Sequence, residues 1–171
     1  GGLADRDGGA RVDQEIVDAL VEPADLAEDL GEDVTARVVV ARLLRSRGIN
    51  PTVVYLGEET KLPADALEAL AHYRRFGGEI DHEIPKRPFS LVVDALFGIG
   101  LQRPIEGAYA ELIDRINGLG CPVLALDVPS GLCADTGRVL GRAVKANYTA
   151  TFIALKPGLL TLDGPDHCGE V

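Results

Sequence analysis

SLVVDALFGIGLQRPIEGAYAELIDRINGLGCPVLALDVPSG, residues 90–131, decides the fold. It opens on a nearly unbroken apolar run at 90–97 and closes on a second at 122–128. Between them, residues 109–119 place Leu112, Ile113 and Ile116 at helical spacing. Apolar runs without alternation belong to strands buried on both faces, as in parallel sheets. Strand, helix, strand in that order is a right-handed crossover unit. The expected class is therefore α/β, a Rossmann-like three-layer open sheet, mostly parallel.

The rhythm extends outward. Residues 148–155 (YTATFIAL) read as a third apolar strand and 51–56 (PTVVYL) as a short β-branched one ended by Gly57. Residues 63–76 read as a helix with Leu62, Leu67, Leu70 and Tyr73 on one stripe, and 38–47 as a helix stopped by Gly48. Upstream, Val12, Ile16, Ala19, Leu20, Leu26 and Leu30 suggest two short helices parted at Pro23, after a Gly/Asp-rich start. The expected division is an N-terminal tail and acidic helical segment at 1–30 and a Rossmann-like domain at 31–171.

The 171 residues suffice for one domain with its own core. A net charge of -10 repels phosphate backbones and anionic lipid, which argues against a nucleic-acid or membrane partner. No apolar run approaches the ~20 residues of a membrane span. Cys121, Cys133 and Cys168 are odd in number and lack a CxxC, so they read as buried or idle thiols of a reducing, cytoplasmic setting. The Met-less Gly-Gly start and the ending at Gly-Glu-Val suggest a processed, trimmed or fragmentary chain.

In such sheets ligands bind beyond the carboxyl ends of the strands. Asp94 lies inside an apolar strand and precedes Gly98 and Gly100, whose backbone can approach and donate to an anion. It reads either as a ligand-holding carboxylate or as a cap for nearby amides. Asp127 ends the next apolar strand and is followed by Pro129, Ser130 and Gly131. Two such carboxylates converging on one edge could hold a cation, or one could act as general acid/base. Lys156, in Leu-Lys-Pro-Gly, reads chiefly as a solvated turn lysine, with phosphate contact the sharper alternative. Asp81, His82 and Glu83 are consecutive and face opposite ways in an extended chain, which disfavours metal ligation, and His72 reads as a surface residue. No nucleophile elbow or phosphate-binding GKS/T motif is present, and Gly98-Ile99-Gly100 lacks the third glycine of a dinucleotide fingerprint.

VDALFGIGLQRPIEG (93–107), PVLALDVPSGLCADTGRVLG (122–141), FIALKPGLLT (152–161) and GPDHCGEV (164–171) resemble, in order and spacing, the YjeF N-terminal domain family. The likeness runs from about residue 38 to the end, and D-x-P-S-G-L-x-x-D-T-G is its most specific part. It implies a Rossmann-like domain interconverting the R and S epimers of hydrated NADH or NADPH, with a potassium ion in the pocket. By the same resemblance Asp94 and Ser130 are metal ligands, and Asp127 contacts substrate and does the acid/base work. Gly98, Ile99, Gly100, Leu101, Gln102, Arg103 and Pro104 wrap the nucleotide's phosphates. A homodimer follows by analogy.

One loop departs from the family. Where relatives carry Gly-Asn-Asn-Gly-Gly-Asp-Gly, residues 31–37 read Gly-Glu-Asp-Val-Thr-Ala-Arg, and Ile99 stands where threonine is usual. Glu32 and Asp33 add charge that repels phosphate, and Val34 and Thr35 replace glycines free to adopt positive φ. Three readings result: an NAD(P)HX epimerase, an enzyme for another small phosphorylated or nucleotide ligand, and a catalytically silent relative. The last would serve as a nucleotide-binding or protein-interaction scaffold, as in decapping scaffolds and apolipoprotein-binding proteins, by analogy alone.

Overall fold

The computed structural model describes residues 33–171; the expected tail and acidic helices at 1–30 lie outside them. In chain order the elements are α1 (Asp33–Ser46), β1 (Val53–Val54), α2 (Ala64–Arg75), β2 (Ile80–Asp81), β3 (Val92–Asp94), α3 (Gly107–Asn117), β4 (Val123–Leu126), β5 (Tyr148–Ala150) and α4 (Pro165–Cys168). Two 3-10 turns, Glu59–Lys61 and Pro157–Leu159, join them. β1 runs parallel to β2, with Val53 opposite Ile80. β3, β4 and β5 form a second parallel sheet in that order, with Asp94 opposite Ala125 and Leu126 opposite Ala150. The α/β class and the parallel pairing are thus as expected, but the described strands fall into two sheets rather than one.

α3 buries Leu112, Ile113 and Ile116, the residues spaced for one face, in a core shared with Val92 and Val123. A second cluster joins Val53 and Tyr55 to Leu62, Ala66, Leu70 and Tyr73, where α1 packs on α2. Leu67, expected inward, is exposed. Ala66, Leu70 and Tyr73 already form the i, i+4, i+7 stripe, and Leu67 sits about 100° around the helix from Ala66. α1 ends as its sequence suggests, with Gly48 at φ 82° and the Ile49 amide donating to the Leu44 carbonyl at 3.1 Å.

Three boundaries differ from expectation. α1 begins at Asp33, so residues 33–37, read as a loop, are helical. No glycine or proline follows Gly31 in that stretch, and nothing local opposes helix. β2 was not anticipated, since two residues, one of them charged, carry no apolar run. The expected strand at 148–155 stops at Ala150. Beyond it Phe152, Ile153 and Leu155 are exposed, and Ile153 takes φ 64°. The Phe152 amide leaves the ladder for a side-chain acceptor, described below. Among the described residues no helix is long and apolar enough to cross a membrane.

Candidate functional site

Both aspartates sit at the carboxyl edge of the three-stranded sheet. Asp94 is the last residue of β3 and fully buried. Its Oδ1 accepts from Ser130 Oγ at 2.6 Å and from the Leu96 amide at 3.2 Å, and its Oδ2 accepts from the Ser130 amide at 2.8 Å. Ser130 Oγ also accepts from the Phe97 amide at 2.9 Å. Asp94 therefore does cap nearby amides, as the plainer reading held. It also locks the loop after β4 onto the loop after β3. A buried carboxylate is tolerated only with such donors around it.

The glycine loop leaves from this clasp. The Leu101 amide donates to the Gly98 carbonyl at 3.4 Å, and Leu101 and Ile105 are buried anchors. Gly98 and Gly100 are half-buried, whereas Ile99, Gln102, Arg103 and Pro104 are exposed. Ile105 is stitched to Leu140 by its amide, at 2.9 Å, so the loop is held at both ends with its middle open to solvent.

Asp127 follows β4 and turns the other way, toward β5. Its φ is 69°, uncommon for a residue with a side chain, and its amide donates to the Ala150 carbonyl at 2.8 Å. Its Oδ1 accepts from the Phe152 amide at 3.0 Å, from Thr151 Oγ1 at 3.3 Å and from Lys156 Nζ, in an ion pair. The Lys156 and Asp127 side chains are only 16% and 15% exposed. The solvated-lysine reading is thereby corrected: the chain leaves β5 at Thr151 and curls Lys156 back over the strand edge. The sequence signal, a lysine just past an apolar run and before Pro157, is ambiguous because burial there depends on that departure.

Among the described residues no group of three or more His, Cys, Asp or Glu is placed to hold a metal ion. His82 Nδ1 lies 2.8 Å from the Tyr55 carbonyl, and His72 is half-buried rather than on the surface. None of the cysteines forms a disulfide; Cys168 is buried, Cys121 and Cys133 partly so. Cys133 is not idle. The Thr136 hydroxyl, hydrogen-bonded to its sulfur, holds the thiol below its ordinary value, assisted by backbone amides of Thr136 and Asp135 and opposed by burial. Alkylation by iodoacetamide near pH 7 is accordingly expected to be faster at Cys133 than at Cys168. Thr136→Val should slow it and move its rate profile to higher pH; mass spectrometry of the labelled peptides reads both.

Comparison with known proteins places this chain among relatives. The family model described as YjeF-related protein N-terminus matches residues 36–158. The chain is 44% identical over 126 residues to the bifunctional NAD(P)H-hydrate repair enzyme Nnr of Vibrio cholerae, covering 72% of this chain and 25% of that protein. It is 42% identical over 137 residues to the NAD(P)H-hydrate epimerase of Bordetella pertussis, covering 78% of this chain and 60% of that protein. The chain thus spans less than two thirds of the length of either relative. The crystal structure of yeast ynu0 superimposes with a TM-score of 0.70 at 19% identity, over 90% of this chain and 64% of that one, a likeness of fold.

Proposed function

Because the chain belongs to the YjeF-related N-terminus family, we propose that it is an NAD(P)H-hydrate epimerase domain whose reacting group is Asp127. The observation that carries the reading is the largely buried Asp127–Lys156 pair at the carboxyl edge of the parallel sheet. It places a carboxylate, in a left-handed backbone conformation, where an open α/β sheet receives its ligand.

The chemistry asks for little more. Hydration leaves the nicotinamide ring with a hydroxyl on a carbon bonded to the ring nitrogen, and the two epimers differ at that carbon. Asp127 takes the hydroxyl proton as the carbon–nitrogen bond breaks, and the electron pair goes to nitrogen, delocalised onto the carboxamide. The resulting aldehyde rotates, nitrogen adds to its other face, and Asp127 returns the proton. Nothing is oxidised or reduced, and one group serves both directions.

The backbone of Gly98, Ile99, Gly100, Leu101, Gln102, Arg103 and Pro104 would carry the nucleotide's phosphates, with Arg103 free to reach them from its exposed position. Potassium would be held by Asp94 and Ser130. The acceptors there are oxygens, the Asp94 carboxylate, Ser130 Oγ and, 3.4 Å from it, the Phe97 carbonyl, ligands of the kind a hard cation takes. When bound, such an ion supplies positive charge beside an anionic ligand on an acidic chain. A cytoplasmic setting and a homodimer complete the reading, the first from three cysteines without a CxxC and the second from family analogy.

The helical path of residues 33–37 favours a second reading, a silent nucleotide-binding module, since it occupies the stretch where relatives carry the asparagine–glycine loop. The test is to supply one epimer of hydrated NADH to the chain in potassium or sodium and follow the other by chromatography. Equilibration faster than in buffer, and faster in potassium, is the expected result. A cooperatively melting protein that binds the hydrate without accelerating exchange in either salt would establish the silent module instead.

A further inference from the structure

The geometry points to Lys156 as the positioning residue of this site: it pins one carboxylate oxygen of Asp127 and leaves the other to meet substrate. The inference rests on the epimerase reading and adds a residue to it. Three donors, Lys156 Nζ, Thr151 Oγ1 and the Phe152 amide, all end on Oδ1. Among the described residues no hydrogen bond ends on Asp127 Oδ2. A carboxylate so held cannot turn about its last bond without breaking every one of them, so Oδ2 keeps a single direction.

The lysine is itself immobilised. An ammonium group has three protons, and Lys156 spends them on Asp127 Oδ1, on Thr151 Oγ1 at 3.1 Å and on the Phe152 carbonyl at 2.7 Å. Its backbone is extended, at φ -81° and ψ 135°, as a residue before proline must be, and leads into the turn Pro157–Leu159. That turn is anchored by the Gly158 amide on the Ala134 carbonyl at 2.6 Å. The segment after β5 thus abandons the sheet to build a three-point mount for one cation, and the cation mounts Asp127. A surface pair would not require this, and a partly buried pair is weak evidence of stability alone. Fixed direction of a proton-transfer group is what it does provide.

The test compares Lys156→Met and Lys156→Arg in the full chain, by epimerisation kinetics and by the carbon NMR shift of the Asp127 carboxyl at one pH without substrate. In Lys156→Met, kcat is expected to fall about 10²-fold with KM unchanged, as for a misdirected reacting group. The carbon shift of the Asp127 carboxyl should be displaced once no ammonium group pins Oδ1, and Lys156→Arg should recover part of both. A Lys156→Met enzyme with kcat within about 3-fold of wild type and an unmoved carboxyl shift overturns the role. So does a rise in KM at constant kcat, which would make Lys156 a substrate-binding group. If Lys156→Met does not fold, Lys156→Arg and Thr151→Val decide: retained kcat in both overturns the mount, and lowered kcat at constant KM supports it. Wild-type protein that fails to epimerise defeats the epimerase reading. The carboxyl carbon shift then stands apart: a shift displaced in Lys156→Met and restored in part by arginine supports the mount, and an unmoved one overturns it.

Discussion

Asp127→Asn is expected to lower epimerisation by about 10²–10⁴-fold while the protein stays folded, the range over which a positioned acid/base contributes. Asparagine is the informative replacement. It keeps the shape of the side chain, and it is among the few residues that accept the left-handed backbone that Asp127 adopts at φ 69°. Its amide oxygen can still accept from Lys156 and from the Phe152 amide, so the mount loses charge rather than contacts. The expected stability change is about 1 kcal/mol, or about 2–4 °C in Tm for a domain of this size. Asp127→Ala would confound the result, because it combines backbone strain with a stranded ammonium group. Turnover and melting temperature are measured on the same preparation. Unchanged turnover in Asp127→Asn would remove Asp127 from the mechanism.

How much of this was legible beforehand differs from residue to residue. Asp94 and Ser130 stand out because a carboxylate inside SLVVDALF needs donors, and a serine next to a strand end can supply them. That the donor is Ser130 Oγ, at 2.6 Å and 36 positions on, is a pairing the residues alone do not single out. Asp127 stands out by the same reasoning, but its partner does not. YTATFIAL reads as eight residues of strand since every position is apolar, small or β-branched, and period alone cannot say where such a run leaves the sheet. What ends β5 at Ala150 is the competition between the ladder and Asp127 Oδ1 for the Phe152 amide, a contact between positions 25 apart in the chain. Lys156, with 16% of its side chain exposed, is covered where the chain has left the strand. β2 is invisible for a related reason: Ile80 and Asp81 become a strand only beside Val53 and Val54. The start of α1 shows the reverse case. There the family's loop suggested a break, whereas the residues present, free of glycine after Gly31, suit a helix.

Gly131→Ala should cost several kcal/mol, the largest stability loss expected of a single added methyl group at this edge of the sheet. Gly131 lies in the Asp-Val-Pro-Ser-Gly turn with φ 90°, and a Cβ there would stand 1.8 Å from the Arg142 carbonyl oxygen and 2.8 Å from the Ala143 Cα. Both obstacles are backbone, and neither can swing aside. The Leu140 amide donates to the Gly131 carbonyl and the Val144 amide to the Ser130 carbonyl, each at 2.8 Å, while Leu132 bridges Val139. Relief of the clash must peel residues 139–144 from the turn and carry Ser130 away from Asp94. Positive φ on alanine costs about 1–2 kcal/mol and overpacking about 1–3, so about 2–5 together, near 10 °C in Tm. Gly120→Ala separates the two contributions. Gly120 has φ 70° but nothing within 4 Å of the added carbon, so it should lose only the conformational share, about 1 kcal/mol. Equal losses in the two variants, measured by urea unfolding, would mean that close approach at Gly131 is not what holds the turn. A much larger loss at Gly131 would tie the closing of the Asp94–Ser130 clasp to this backbone contact.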